Sequence, residues 1–264
     1  MASKHITSMN NPIIKNIALL KKKKSARKEQ RLFIVEGLRV VKEIPSSQTV
    51  KYYITTENFQ KEYEYFIDKD KWIMVTQDIF EEIADTMSPQ GIMAVVEAPF
   101  LDIDYIKIDS KEAYLLLENI QDPGNLGTII RTAHAFGIKN IILTKGCVDL
   151  YSPKVVRSTM GSLFHVKIIM DVSIEDALSL FKKHHIPIYA TALDEAVSLA
   201  DVHFEQGLAL LIGNEGNGLS DRAKQLSDYK IKIDMPGGAE SLNASIAASI
   251  CIYEVMKQRL RLDN

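Results

Sequence analysis

From Ala113 onward the sequence repeats one pattern, a short continuous apolar run followed by a segment long enough for a helix. The runs are Ala113–Leu117, Asn140–Leu143, Val166–Ile169, Pro187–Ala190 and Leu208–Ile212, and Tyr229–Ile233 follows with apolar residues at alternate positions. A strand that is apolar at every position is buried on both faces. A helix between two such strands returns the chain to the same end of the sheet. The pattern therefore predicts an α/β domain on a mainly parallel sheet. One long helix, from about Ser241 to Arg259, closes the chain.

The first hundred residues have a different texture. Leu32–Gly37, Val50–Ile54, Trp72–Val75 and Gly91–Val96 read as strands with helical stretches between them. Asn11-Pro12 reads as a loop and Lys21–Lys28 as a basic helix. Glu97–Asp109 holds Pro99 and four acidic residues, which predicts a boundary between a domain of residues 1–100 and one of residues 108–264.

Charge divides unevenly between the two parts. Residues 1–44 carry eleven Lys/Arg against three Glu, a net +8 that leaves −10 for the other 220 residues. A basic arm on an acidic protein fits a polyanionic partner engaged from one end, and a merely solvated Lys tract fits the same count. The chain has no apolar run of about 18 residues, so no membrane span is expected, and its first residues lack a signal-peptide core. Cys147 and Cys251 stand in apolar stretches without CxxC or CxxH spacing, which predicts two small buried hydrophobes in a reduced, cytoplasmic protein. His134, His165, His184, His185 and His203 lack metal-ligand spacing, and no metal site is expected.

Three motifs stand at predicted strand ends, where open parallel sheets bind ligands. In the first, Glu118-Asn119-Ile120-Gln121-Asp122-Pro123-Gly124-Asn125-Leu126-Gly127, a strand runs into a loop and then a helix carrying Arg131. Asn125 suits a helix N-cap as well as a site. Arg131 either snorkels to solvent or grips a phosphate or carboxylate. In the second, Leu208–Ile212 is followed by Gly213-Asn214-Glu215-Gly216-Asn217-Gly218, a loop whose glycines allow close approach to a small molecule or simply make a tight turn. In the third, a strand ending at Ile233 meets Met235-Pro236-Gly237-Gly238, then Ser241-Leu242-Asn243 at the start of the last helix, where Ser241 suits a cap. Asn243 is a poor helix former to find in that first turn. Arg157, within Ser152–Ser158, is either an RNA contact or an exposed helix charge.

Taken in this order and at these spacings, the motifs resemble those of the SpoU (TrmH-like) family of RNA ribose 2′-O-methyltransferases, in the SPOUT superfamily. Asn125 and Arg131 match its first motif, Gly213, Glu215 and Gly218 its second, and Met235, Pro236, Ser241, Leu242 and Asn243 its third. The resemblance covers about residues 108–264. Phe33-Ile34-Val35-Glu36-Gly37 with Arg39 resembles, less specifically, the opening of the small ribosomal-protein-like α/β domain that binds RNA substrate in many members.

The resemblance implies a C-terminal α/β domain with a deep trefoil knot, which no periodicity argument would produce because knots are nearly absent from proteins. It also implies a homodimer through the last helix and the first-motif helix. The methyl donor is then S-adenosyl-L-methionine and the partner structured RNA, ribosomal rather than transfer RNA by the type of N-terminal domain. Arg131, Asn125, Glu215, Ser241 and Asn243 become the catalytic set. Thr191, Leu193, Gly213, Ile233, Met235 and Leu242 become the cofactor pocket. A guanidinium stays protonated to pH ~12, so Arg131 suits holding a phosphate and offsetting charge near the 2′-oxygen better than acting as the base. Two readings compete: an RNA-binding factor of this fold without catalysis, and a Rossmann-type enzyme. The latter would need GxGxxG after its first strand, where this chain has Pro123 and Asn125.

Overall fold

The computed structural model describes residues 4–63, 71–99, 101, 103, 106–204 and 207–262. The chain divides into two compact units, one of residues 1–100 with 149–164, the other of residues 101–148 with 165–264.

The first unit runs β1 (Lys4–Ile6), α1 (Pro12–Lys22), α2 (Lys24–Gln30), β2 (Leu32–Glu36), α3 (Leu38–Lys42), β3 (Val50–Thr56), α4 (Glu57–Tyr63), β4 (Trp72–Val75), α5 (Gln77–Ile83) and β5 (Ile92–Glu97). Its sheet has the order β1-β4-β3-β5-β2. The pairs β1–β4 and β4–β3 are parallel, while β5 runs antiparallel to β3 and β2. Ile14, Ile17 and Leu20 of α1 and Phe80 and Ile83 of α5 pack into one core with Ile34, Ile54 and Val95 of the sheet.

Local chemistry here differs from the sequence expectation in two places. Asn11-Pro12 begins a helix: the Asn11 side chain accepts from the Ile13 N–H at 2.9 Å, and Pro12 takes the first-turn position where its missing N–H costs nothing. The basic tract is split, because Lys23 is extended between α1 and α2. Lys21 Nζ donates to the Ala84 carbonyl, and its partial burial holds its pKa below the ordinary lysine value. Lys22, Lys23 and Lys24 are exposed. The edge strand β1 was not expected; three residues are too few for a periodicity to register.

The second unit opens with β6 (Ala113–Leu117), α6 (Pro123–Ala135) and β7 (Asn140–Thr144). The chain then supplies α7 (Pro153–Ser158) before continuing with β8 (Lys167–Val172), α8 (Ile174–Lys183), β9 (Ile188–Thr191), β10 (Val197–Ser198), β11 (Leu208–Ile212), α9 (Asp221–Leu226), β12 (Tyr229–Lys232) and α10 (Ala244–Leu262). Residues 149–164, which the sequence places within the second domain, belong to the first unit. There the Tyr151 ring packs tilted against Phe33 with centroids 4.6 Å apart, and Asp149 Oδ2 accepts from Arg27 Nε at 2.7 Å and Nη2 at 2.5 Å. Arg157 pairs with Asp85, so it is neither simply solvated nor a spare cation.

All seven strands of the second sheet are parallel, in the order β10-β12-β9-β11-β6-β7-β8. β6 and β11 are buried at every position, the burial expected of unbroken apolar runs covered on both faces. The register pairs Leu117 with Ile212 and Thr191 with Ile231, so the loops after β6, β11, β9 and β12 leave one edge of the sheet side by side. Beyond β12 the chain travels back past the ends of β9 and β11, three strand spacings or about 14 Å, and α10 packs against α6. The last helix therefore begins over loops that the chain built earlier.

Candidate functional site

The site forms where three of those loops meet. Asp122 caps α6, its side chain accepting from the Asn125 N–H at 2.8 Å, and Pro123 occupies the first turn. Asn125 is thus not the cap, and its own amide is free to bond sideways. It is 8% exposed and bonds through both ends of the amide: Nδ2 donates to Glu215 Oε1 at 3.0 Å, and Oδ1 accepts from Asn243 Nδ2 at 3.0 Å. Asn243, in turn, is the cap of α10. Its Oδ1 accepts from the N–H groups of Ser245 at 2.9 Å and Ile246 at 3.3 Å and from the Ser245 hydroxyl at 2.6 Å. Capping explains a poor helix former at that position. It also corrects the expectation for Ser241, since the helix begins at Ala244 and Ser241 is exposed before it.

Glu215 completes the chain of bonds. Its carboxylate accepts from the backbone N–H of Gln121 at 3.2 Å and of Asp122 at 3.0 Å, as well as from Asn125. Those amides lie at the positive end of the α6 dipole, where an anion is favoured. Burial pushes the Glu215 pKa up, but the hydrogen bonds from Asn125, Asp122 and Gln121 outweigh it and leave the group below the ordinary carboxylate value. Glu215 thus anchors the first loop and not Arg131. A side chain from each motif sits in one continuous chain, Glu215 to Asn125 to Asn243.

The second loop is held by its own backbone. Asn214 and Gly218 exchange N–H···O bonds, both 3.0 Å. A Cβ on Gly213 would lie 2.3 Å from the Gly218 carbonyl carbon and the Leu219 nitrogen, so glycine is required there by close approach. Asn214, a member of the second motif without an assigned role, ties this loop to the first: Nδ2 donates to the Asn119 carbonyl at 2.8 Å, and Oδ1 accepts from Gly216 and Asn217 N–H. Asn119 is in the left-handed region at φ 54°, a conformation that asparagine tolerates better than most residues. An Asn directly after a Gly that ends an apolar strand was the available signal.

Arg131 lies outside this network. Six residues along α6 from Asn125 is a rotation that leaves it about 120° around the helix, whereas Thr132 returns to the Asn125 face and bonds Ser249 of α10 at 3.1 Å. Arg131 is exposed, with no hydrogen bond or ion pair among the described residues. Of the remaining expected residues, Thr191 donates its hydroxyl to the Leu211 carbonyl at 3.0 Å. Ile233, Met235 and Leu242 are half-buried, and Leu193 is 58% exposed. No group of three or more His, Cys, Asp or Glu among the described residues could hold a metal ion.

Fold and site together define a parallel α/β domain whose three motif loops are joined at one edge of the sheet. Residues 112–253 match the SpoU rRNA Methylase family, and residues 11–94 match the MRM3-like substrate binding domain. A 23S rRNA guanosine 2′-O-methyltransferase of Bacillus subtilis is 30% identical over 96% of this chain and 99% of its own length. A 23S rRNA uridine 2′-O-methyltransferase of Streptomyces viridochromogenes is 36% identical over 71% of this chain and 68% of its own. An AdoMet-bound rRNA methyltransferase from Sinorhizobium meliloti superposes with a TM-score of 0.86 at 30% identity, covering 97% of this chain and 98% of that one. The chain belongs to the SpoU rRNA Methylase family.

The Glu215 bonds carry a pH signature. A carboxylate whose folded pKa is depressed contributes stability that is complete above its unfolded value, about 4.3, and is lost as pH falls through the folded value. Glu215→Gln should therefore lower the thermal midpoint at pH 7 and show a shallower further loss between about pH 5 and 3 than wild type. Melting curves across that range make the comparison. Parallel acid limbs in the two proteins would mean that Glu215 holds nothing.

Proposed function

We propose that this protein transfers a methyl group from S-adenosylmethionine to a ribose 2′-hydroxyl of ribosomal RNA. The observation that carries this reading is the continuous chain of hydrogen bonds Glu215–Asn125–Asn243, which brings the three motifs to one edge of the sheet.

The residues beside that chain suit the cofactor. Leu193, Ile233, Met235 and Leu242 supply apolar surface that the chain itself does not cover fully. Gly218, Gly237 and Gly238 border open space, since a Cβ on any of them would meet nothing within 4 Å. Such a lining fits a flat heterocycle with a polar tail read by backbone groups. S-adenosylmethionine, when bound, supplies the electrophilic methyl and departs as the neutral thioether. The protein's own task is to orient the hydroxyl toward that methyl. Asn125 and Asn243 have little rotational freedom left, so they hold their loops in one geometry. Arg131, with no protein partner, anchors an RNA phosphate and offsets charge near the attacking oxygen. Ser241 lies close enough in sequence to Asn243 to line the ribose side. Glu215, whose oxygens are occupied by donors from Gln121, Asp122, Asn125 and Asn214, is not the proton acceptor.

The N-terminal unit supports ribosomal over transfer RNA as the substrate, because its match is to a substrate-binding domain and both rRNA-specific relatives align across much of the chain. Lys22, Lys23 and Lys24 are exposed cations on the tract, whereas Lys21 and Arg27 are spent on internal contacts. The protein works as a homodimer: α10 buries Ala248, Cys251, Ile252 and Val255 but leaves Ile246 (53%), Ile250 (37%) and Tyr253 (49%) exposed at helical spacing. No helix is long and apolar enough to cross a membrane among the described residues, and the free Cys147 and Cys251 suit a reducing compartment, which we take to be the cytoplasm.

Arg131→Ala should abolish methyl transfer to rRNA while S-adenosylmethionine affinity, measured by calorimetry, stays within about threefold; near-normal turnover would remove Arg131 from the site. Replacing Lys22, Lys23 and Lys24 with Gln should weaken RNA binding and flatten its log–log salt slope by roughly 0.7 to 0.9 per lost phosphate contact. Equal slopes would make the tract a solvated surface. Ile250→Asp should convert a dimer to a monomer in light scattering, and an unchanged mass would place the interface elsewhere.

A further inference from the structure

The loop 213–219 closes on itself through Asn214 and Gly218, but that closure says nothing about where the loop stands on the sheet. One residue, at the head of the first motif but given no role there, touches both of its feet. Glu118 lies at the end of β6 and is 8% exposed. Its backbone N–H donates to the Ile212 carbonyl at 2.9 Å, at the loop's entry. Its carboxylate reaches the exit: Oε2 accepts from the Ser220 N–H at 2.8 Å, and Oε1 accepts from the Ser220 hydroxyl at 2.7 Å. Ser220 Oγ in turn accepts from the Ala223 N–H at 3.1 Å, capping α9.

A carboxylate this buried loses hydration that two hydrogen bonds only partly replace, and no cation pairs with it among the described residues. A neutral residue would be cheaper if the position only had to fill space. The bonds it makes are also directional, both aimed at one residue across the sheet edge. Glu215 makes the reverse connection, from the second loop to the first. The two loops thus exchange carboxylates, each fixing the backbone of the other.

We infer that Glu118 is a positioning residue that sets the affinity for S-adenosylmethionine by fastening both feet of the 213–219 loop, without touching the cofactor. The inference rests on the proposed placement of the cofactor beside that loop. The test uses the full chain and four variants: Glu118→Gln, Ser220→Ala, Ser220→Thr and the double change Glu118→Gln with Ser220→Ala. Calorimetry is run with S-adenosylmethionine and with S-adenosylhomocysteine, and turnover is measured at saturating cofactor.

Glu118→Gln and Ser220→Ala should each weaken both ligands about tenfold, with kcat held within about threefold. The double variant should be no weaker than the weaker single one, because both remove the same connection. Ser220→Thr keeps the hydroxyl and the cap and should bind like wild type; this arm stands if Glu118→Gln fails to fold. Unchanged affinities with a lowered melting temperature would make Glu118 a structural residue only and overturn the inference. Loss of S-adenosylmethionine affinity with S-adenosylhomocysteine unaffected would make Glu118 a charge partner of the sulfonium instead, which also overturns it. Failure of the wild-type chain to bind either ligand would sink the proposed function first, and this inference with it.

Discussion

The Glu215 carboxylate binds groups that lie 90 or more residues before it in the chain, the amides of Gln121 and Asp122 and the Asn125 side chain. Nothing local makes those contacts. They exist because β6 and β11, although far apart in sequence, are neighbours in the sheet, with Leu117 opposite Ile212. They hold the later part of the first-motif loop, while Thr144, Val148 and Asn214 hold Asn119 and Ile120 at its start. Asp122 can cap α6 by itself, but the orientation of Asn125 is set from the second loop. Asn243, which depends on Asn125, brings the start of the last helix into the same arrangement. The site is in this sense one object made from three distant segments.

That dependence also explains the composition of the loops. Gly213 is needed because the loop backbone folds to within contact of itself, and Asn214 because its amide serves as both donor to Asn119 and acceptor for two loop N–H groups. The final helix approaches α6 on a face of small residues, where Thr132 and Ser249 share a hydrogen bond and Ala248 is fully buried. Larger side chains there would push Asn243 away from Asn125. Arg131, 120° around α6 from that face by helical geometry, keeps its charge free for a partner because the packing has no use for it.

Much of this was legible in the sequence, and the parts that were not share a cause. The continuous apolar runs located β6 and β11 to the residue and β7, β8 and β9 to within three, and the alternating run located β12 to within one, since burial leaves a periodic signature in the sequence. The motif residues Asn125, Glu215 and Asn243 were named because their order and spacing resemble a family, and the geometry brings those three together. What the sequence could not show was who bonds whom. Asn125 suited a cap by its residue type, yet Asp122 three residues earlier does the capping. Ser241 suited a cap by the same rule, yet Asn243 does it. Glu118 stands at the head of the first motif with no role assigned to it, because a partner 102 residues away leaves no local pattern. The grouping of residues 149–164 with the first unit is likewise invisible locally, since Tyr151 and Asp149 acquire meaning only beside Phe33 and Arg27.

The chemistry turns on the acceptor: the methyl goes to a ribose oxygen and not to a base. Purified protein incubated with methyl-labelled S-adenosylmethionine and unmodified rRNA, followed by alkaline hydrolysis, tests it directly. A 2′-O-methyl group removes the hydroxyl that alkaline cleavage requires, so label recovered in an alkali-resistant dinucleotide is the result this account predicts. Label recovered in mononucleotides, where methylated bases would appear, would contradict it.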